Sequence, residues 1–446
     1  MKRIVTLLTV FALLAIPMVA SAQGETTNTA FQVVNLSESE AASITVVFYD
    51  ADGNQTHSLD DTINAGASKT YIQANMGELG VSFNGSVVIS SDQEIAAIVN
   101  QNTSNADATS GYNASYTGFS EGDTAFYIPI VLNNFYGYRT EISVQNASSE
   151  AVDVTVTYDT PECTDQKLAL PVGAAVRFNN TETCNGGLNA NGSATITATG
   201  PVVAIVNQIS DDADLEQTYN GFGLANAGST LYTPIALHQF YGFNSSFQVQ
   251  NLSGAEMDIC ATYSDGLQEC VAGVADGASA TFLQGNEAHA AGWTGSAIIT
   301  NTTGGNMVGV VNQQGGNSAA SFNMYTGGAT KWSLPSLLYQ YYGFTSAFQV
   351  QNVSGDVVDI TVTYDDGASA SADDVADGDV ATFIQNNETG HTPNQAFSAV
   401  IEATGEIVVV VNQDVLTPGN IDYQYSYNAV PVSYTHLRAH ETSLHL

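Results

Sequence analysis

The sequence predicts an all-β protein made of tandem domains, each a sandwich of two antiparallel sheets. Three observations lead to this prediction. One unit of sequence occurs four times, apolar and polar residues alternate within each unit, and turns rich in Gly separate the alternating segments at short intervals. Alternation with a period of two is typical of strands that bury one face and expose the other.

The N-terminus has the pattern of an export signal. Lys2 and Arg3 form a short basic region, residues 4–19 are largely apolar, and residues 20–22 form a small-residue cleavage site. We therefore expect a signal peptide over residues 1–22, a mature chain that begins at Gln23, and a secreted or cell-surface protein. No later apolar run reaches the roughly 18 residues that a membrane span needs, so no span is predicted.

Two sequence marks define the repeat. The first is an Asn that ends a strand, at Asn35, Asn146, Asn251 and Asn352. The second is the strand end V-N-Q, at Asn100, Asn207, Asn312 and Asn412. Both marks recur at intervals of roughly 100 residues, which is the size of a domain and too long for a solenoid repeat. We expect four domains arranged like beads, each with its own core and few contacts to the next.

The fourth unit illustrates the order of elements. Val358–Tyr364 alternates as a half-buried strand, Gly367 follows in a hairpin turn, and a second turn occurs at Gly378. Ile407–Val411 is continuously apolar, which is typical of a central strand covered on both sides. The residues predicted to point into the core include Val249, Val362 and Tyr364.

A stretch with Pro near its start and an aromatic-Gly turn at its end recurs between units, as in Tyr127–Gly137. Because Pro lacks the N–H that a central strand needs, this stretch is predicted to be an edge strand. Either it opens the following unit, which leaves the first unit without an opening strand, or it closes the preceding unit. The predicted domains are 1–22 (signal peptide), 23–124, 125–229, 230–330, 331–431 (a truncated fourth sandwich) and 432–446 (an artefactual tail).

The segment Val432–Thr442 resembles a translated sequencing-library adapter. We therefore leave residues 432–446 out of the fold prediction and expect the natural chain to continue differently after Pro431.

The net charge of −36, from 44 acidic and 8 basic residues, excludes nucleic acid as a partner and disfavours anionic lipid surfaces.

The four cysteines form two local pairs, Cys163 with Cys184 and Cys260 with Cys270. Cys260 and Cys270 flank a hairpin turn and should face each other, and an oxidising compartment favours disulfides over the alternative of zinc.

The order of a V-x-N-x-S strand end, the strand and turn ITVTYDDG of residues 360–367, a G-A-S turn and the V-N-Q strand resembles the immunoglobulin-like repeats of bacterial exported surface proteins. The resemblance covers residues 24–431 and implies four tandem immunoglobulin-like β-sandwiches. It implies adhesion, scaffolding or ligand display more often than catalysis.

The sequence indicates no catalytic site, and we predict that the protein is not an enzyme. The G-x-S-x-G sequence of residues 118–122 lies in a polar connection and not before a helix. The histidines of the body, which we interpret as surface or turn residues at unrelated positions of the unit, are His57, His238, His289 and His391.

Two kinds of binding residue are candidates. Tyr136, Tyr241 and Tyr342 recur beside the aromatic-Gly turns and are possible sugar-stacking platforms, or else they pack where units join. Weak calcium candidates are Asp373, Asp374, Asp377 and Asp379, and no other cofactor is expected.

The predicted function is a non-catalytic exported repeat protein for adhesion, cell-surface structure or extracellular matrix, with a protein or polysaccharide partner. The alternative is a carbohydrate-binding array, accessory to a longer secreted enzyme.

Overall fold

The computed structural model describes residues 10–15, 25–80, 83–105, 111–160, 162–184, 189–210, 213–415 and 424–432. Antiparallel sheets form sandwich-like units throughout this part of the chain, so the all-β, immunoglobulin-like fold class is confirmed. Helical structure in the described part of the chain comprises α1 (Asn180–Thr183) and short 3-10 turns. No helix among the described residues has the length and apolarity to cross a membrane. Those 3-10 turns are Gln73–Asn75, Gly77–Leu79, Leu224–Asn226, Gln284–Asn286 and Gln385–Asn387.

The strands fall into four units. Unit 1 contains β1 (Val10–Ala15), β2 (Glu25–Asn35), β3 (Ala42–Asp50), β4 (Gln55–Ile63), β5 (Ser68–Ile72), β6 (Gly85–Ser91), β7 (Ile95–Asn105) and β8 (Gly111–Thr117). Unit 2 contains β9 (Asp123–Phe135), β10 (Tyr138–Asn146), β11 (Val152–Asp159), β12 (Glu162–Leu170), β13 (Ala175–Asn179), β14 (Ala190–Ser210) and β15 (Leu215–Asn220). Unit 3 contains β16 (Thr230–His238), β17 (Asn244–Asn251), β18 (Met257–Tyr263), β19 (Gln268–Val274), β20 (Ser279–Leu283), β21 (Trp293–Asn301), β22 (Met307–Gly315) and β23 (Ser318–Asn323). Unit 4 contains β24 (Ala329–Tyr341), β25 (Phe344–Asn352), β26 (Val358–Tyr364), β27 (Ser369–Val375), β28 (Val380–Ile384), β29 (Gln395–Val415), β30 (Tyr425–Asn428) and β31 (Val430–Pro431).

Each unit follows one sheet plan. In unit 3 the two sheets have the orders β16-β21-β18-β19 and β20-β17-β22-β23, and unit 1 repeats this plan from β1 to β8. In units 2 and 4 the long strands β14 and β29 run through both sheets and join them. Alternation is as predicted, because Val362 and Tyr364 of β26 are buried while Thr363 between them is exposed. Val249 is also fully buried.

The Pro-containing stretch opens its own unit. The strands β9, β16 and β24, which we call the opening strands, pair with β14, β21 and β29 of the same unit. The pairing register shifts beside the proline in all three, for example between Thr233 and Ala236 around Pro234, because Pro donates no hydrogen bond to the ladder. In unit 1 the same position is held by β1, which pairs with β6 and lies inside the predicted signal peptide.

The four units share their cores and close into a ring. One strand of each unit buries one face in its own core and the other face in the core of the preceding unit. These strands are β7, the second half of β14, β22 and the second half of β29. The residues that cross into the preceding core are Val203 and Ile205 (unit 2 into unit 1), Val308 and Val310 (unit 3 into unit 2), Val410 (unit 4 into unit 3) and Ile98 (unit 1 into unit 4). The expectation of beads with few contacts is therefore wrong. The expectation that Ile407–Val411 is covered on both sides is confirmed, and the second cover is the neighbouring unit.

A ladder of side chains closes the ring beside its axis. Thr117, Asn220, Asn323 and Asn428 hold equivalent register positions on β8, β15, β23 and β30. The Nδ2 of Asn220 donates to the carbonyl of Thr117 (2.6 Å), and Nδ2 of Asn323 donates to that of Asn220 (2.8 Å). The Nδ2 of Asn428 donates to the carbonyl of Asn323 (2.7 Å), and Oγ1 of Thr117 donates to that of Asn428 (3.2 Å). Because equivalent residues meet at one level, the four units point the same way along the axis.

Candidate functional site

The Asn that marks each repeat has a structural role. The Nδ2 of Asn251 donates to the carbonyls of Ala255 (2.7 Å) and Val274 (2.8 Å), and its Oδ1 accepts from the N–H of Ser253 (2.8 Å). Asn35, Asn146 and Asn352 make the same three kinds of contact and are equally buried. A buried amide with its partners satisfied fixes a turn, so the most regular feature of the sequence marks the fold and not a binding site.

The three aromatic-Gly turns have an unusual backbone. Each is a two-residue hairpin loop in which the Tyr and the following Gly both have positive φ. The φ values are 51° and 81° at Tyr136-Gly137, 48° and 87° at Tyr241-Gly242, and 51° and 87° at Tyr342-Gly343. Positive φ at both central residues defines a type I′ turn, in which Asn or Asp normally precedes the Gly. Gly meets the second requirement without strain, whereas Tyr at the first position is strained.

The strained tyrosines are exposed. Tyr136, Tyr241 and Tyr342 are 84%, 90% and 83% exposed, so the alternative that they pack between units is wrong. Each ring makes a T-shaped contact with the aromatic ring before it, with centroids 4.5 to 4.7 Å apart. A non-Gly residue in the left-handed region costs roughly 1 to 3 kcal/mol, and an exposed ring recovers little of this by burial. The same strained and exposed tyrosine therefore recurs in units 2, 3 and 4.

The three turns lie on one face of the ring of units. In unit 2 the residue after the turn, Tyr138, pairs with Ser210 at the end of β14, beside the hairpin that leads to β15. In unit 3 Asn244, the second residue after the turn, pairs with Gln314 near the end of β22, and in unit 4 Phe344 pairs with Val415 at the end of β29. Since all units point the same way along the axis, these ends share a face. We call it the tyrosine face; it carries Tyr136, Tyr241 and Tyr342.

Both predicted disulfides form in the structure. Cys260 and Cys270 are directly opposite each other on β18 and β19, with Cα atoms 4.1 Å apart. Cys163 on β12 joins Cys184, which follows α1, with Cα atoms 5.8 Å apart. Each bridge lies within one unit.

The acidic cluster of unit 4 is divided between strand β27, which carries Asp373 and Asp374, and the turn before β28, which carries Asp377 and Asp379. The carboxylate of Asp377 accepts from the N–H of Gly355 (2.9 Å), and the N–H of Asp374 donates to Asp359 (3.0 Å). The carbonyl of Asp379 accepts from Asn352. The described part of the chain has no group of three or more His, Cys, Asp or Glu side chains placed to hold a metal ion. Calcium binding by this segment, including Asp373, stays a prediction.

Two histidines hold equivalent positions, contrary to the sequence interpretation. The Nδ1 of His289 lies 2.7 Å from Oδ2 of Asp265, and Nδ1 of His391 lies 2.8 Å from Oδ2 of Asp366. Each imidazole stacks on an aromatic ring, that of Trp293 or Phe397. Both imidazoles are buried, so they are not surface residues. The sequence hid the equivalence because the loops before the two histidines differ in length. Each pair fixes a loop to a hairpin turn.

A buried charged cluster in unit 2 was not found from the sequence. The carboxylate of Glu141 accepts hydrogen bonds from Nη1 of Arg139 and from Nη1 of Arg177, the latter at 2.9 Å. Glu216 lies nearby with both carboxylate oxygens buried and without a hydrogen-bond partner. Burial, and then the charge of Glu141, raise the pKa of Glu216 to about 8, although Arg139 opposes the shift.

Residues 118–122 connect β8 to β9 without a helix, so they do not form the strand-turn-helix of a nucleophile elbow.

Comparison with known proteins gives little further information. No protein-family model matches the sequence, and no curated protein matches it. Among solved structures, the C-terminal domain of the Streptococcus agalactiae AgI/II polypeptide BspA is similar at 13% identity and a TM-score of 0.14, over 46% of this chain and 92% of that one. The Streptococcus pneumoniae pilus backbone RrgB is similar at 10% identity and a TM-score of 0.12, over 76% and 87% of the two chains. At these TM-scores the similarities support no conclusion about function.

Proposed function

We propose that this protein is an exported, non-catalytic scaffold for adhesion, cell-surface structure or extracellular matrix, and that it binds its target through the tyrosine face. The export signal, the two disulfides and the acidic surface suit an extracellular protein. The ring presents one surface three times, which allows several weak contacts to act together.

The observation that carries this proposal is the strained, exposed tyrosine in all three aromatic-Gly turns. The backbone alone would favour Asn at that position. An exposed aromatic ring with a hydroxyl tip offers apolar area and a hydrogen bond with little loss of side-chain entropy on binding. The net charge of −36 disfavours strongly anionic partners.

The test is to replace Tyr136, Tyr241 and Tyr342 together with Asn. Because Asn suits the type I′ position, the variant should gain about 0.5 to 1 kcal/mol of unfolding free energy at each site. Retention of protein-coated beads on cells of the source organism should nevertheless fall to the level of uncoated beads. A matched control is Leu168→Asn, a 66% exposed apolar residue away from these turns, which should leave retention unchanged. Equal retention by wild type and the triple variant would contradict the proposal.

A second candidate, a carbohydrate-binding array, is favoured by the exposure of the same three rings. Tyrosine rings stack on the apolar faces of sugars, and polysaccharides present such faces repeatedly along a chain. This candidate predicts that the wild type binds cellulose or chitin beads directly and that the triple Asn variant does not. Binding to cells that survives complete removal of surface glycans would instead favour a protein target.

A further inference from the structure

Each aromatic-Gly turn contains a second exposed residue with positive φ, two positions before its tyrosine. This residue is Asn134, Gln239 or Gln340, with φ of 53°, 51° and 54° respectively. In units 2 and 4 the pairing register of the hairpin shifts at this residue, so it is the extra residue of a β-bulge. We call Asn134, Gln239 and Gln340 the turn amides, because all three side chains end in a carboxamide.

The backbone does not explain why this position carries an amide. Gly adopts positive φ without a steric cost and is the usual residue at a bulge position of this conformation. Asn enters the left-handed region occasionally, whereas Gln has no such preference. The turn amides are exposed, and none makes a side-chain hydrogen bond to another residue that the structure describes. Both the donor and the acceptor of each amide are therefore open to a ligand.

Each turn thus presents an uncharged amide close to a tyrosine ring, since residues two apart in the chain have Cα atoms within about 7 Å. An amide offers a donor and an acceptor side by side, which suits neighbouring hydroxyl groups of a sugar, and a tyrosine ring suits the apolar face of that sugar. We propose that the tyrosine face binds a neutral polysaccharide and that the turn amides determine its specificity. This inference rests on the binding role proposed above for the tyrosine face.

The repetition of the turn favours a polysaccharide over a protein as the ligand. Three units present the same pair of groups on one face, and a polysaccharide presents one chemical unit many times, whereas the surface of a folded protein does not repeat. A single turn offers one ring and one amide, so it should hold a single sugar weakly. A polymer that engages two or three turns at once binds more tightly without any further contact. The net charge of −36 disfavours an anionic polymer.

The test is a variant that combines Asn134→Gly, Gln239→Gly and Gln340→Gly. Its Tm should be unchanged or higher, because Gly suits positive φ and all three tyrosines remain. The probes are immobilised cellulose, chitin, xylan, mannan and starch. We expect the wild type to bind at least one of them. The variant should bind the same polysaccharide roughly a hundredfold more weakly, because each lost hydrogen bond costs about fivefold in affinity.

Two control variants separate the amide from the backbone. Ala169→Gly makes the same backbone change at an exposed residue of β12 with φ of 50°, and it should leave polysaccharide binding unchanged. The combination of Gln239→Asn and Gln340→Asn should keep the affinity within about threefold, because unit 2 already carries Asn at this position. A purely structural role of these residues would not distinguish Asn from Gly in this way.

Two results would overturn this inference. One is a wild type that binds none of the five polysaccharides, and the other is equal binding by the wild type and the triple Gly variant. The bead-retention test of the tyrosine variant decides the proposed function separately. Loss of retention in that variant, combined with no polysaccharide binding by the wild type, would keep the adhesive role and make the target a protein.

Discussion

At the scale of single residues, Glu216 is a fully buried carboxyl in unfavourable surroundings. Its carboxylate has no hydrogen-bond partner and its pKa is raised to about 8. Because the folded pKa lies above the unfolded value of roughly 4.3, folding favours the protonated acid. The contribution of this carboxyl to the unfolding free energy is fully present at pH values below the unfolded pKa, and it is lost as the pH rises towards 8.

We therefore predict that Glu216→Gln stabilises the protein at pH 8 by roughly 2 to 4 kcal/mol and changes its stability little at pH 4.5. The measurement is urea unfolding at a series of pH values. The wild type should lose stability over this range more steeply than the variant. A suitable control is Glu150→Gln, an exposed residue of the same unit, which should keep the wild-type slope. Parallel pH profiles for wild type and Glu216→Gln would show that Glu216 is ionised in the folded protein without cost.

At the scale of elements, the hairpin of β18 and β19 combines a tight turn with a cross-strand bridge. Gly266 has φ of 87° in that turn, and Cys260 faces Cys270 across the ladder. A bridge between residues 10 apart in sequence closes a short loop. In the loop-entropy account, such a bridge stabilises the fold by about 2.7 kcal/mol.

Replacing both Cys260 and Cys270 with Ser should lower the unfolding free energy by about 2 to 3 kcal/mol. Peptide mapping of the exported wild type under non-reducing conditions should recover the two residues joined, and Cys163 joined to Cys184. The same pair of Ser substitutions measured in reducing buffer serves as the control, because there the wild type should lose its advantage. Recovery of either cysteine as a free thiol from the exported protein would refute the pairing.

At the scale of the whole molecule, the shared cores make the ring one cooperative body. Val410 belongs to a strand of unit 4 but is buried in the core of unit 3. The ladder of hydrogen bonds through Asn220 and Asn323 also joins neighbouring units at the axis. Damage at such a residue should therefore spread beyond its own unit.

We predict that Val410→Asp destabilises unit 3 and unit 4 together, by more than about 4 kcal/mol, because it buries an unpaired carboxylate. Hydrogen exchange should speed up in β18 of unit 3 as well as in β26 of unit 4, and calorimetry should show one transition. Val357→Asp is the matched control, since Val357 is 58% exposed in the same unit. Faster exchange in unit 4 with full protection retained in unit 3 would restore the picture of independent beads.

Local features were predictable because they depend on neighbours in the chain. The alternation in Val358–Tyr364, the turn glycine at Gly367 and the facing pair Cys260 and Cys270 all appear in the structure as the sequence indicates. The exposed tyrosines were recognised as candidates, but their exposure was left open between a platform and a buried junction. The exposure of the three rings follows from the type I′ hairpin, whose register the sequence does not state.

The sequence by itself determined the all-β class, the repeat of four units and the position of their turns, because periodicity and Gly placement act within a few residues. Only the tertiary structure decided that the units form a ring. Ile407–Val411 indicated a strand covered on both faces, but the covering surface on one face belongs to another unit. The pairing of Asp265 with His289, and the burial of Glu216, likewise depend on segments brought together by packing, and such contacts leave no pattern of fixed spacing in the chain.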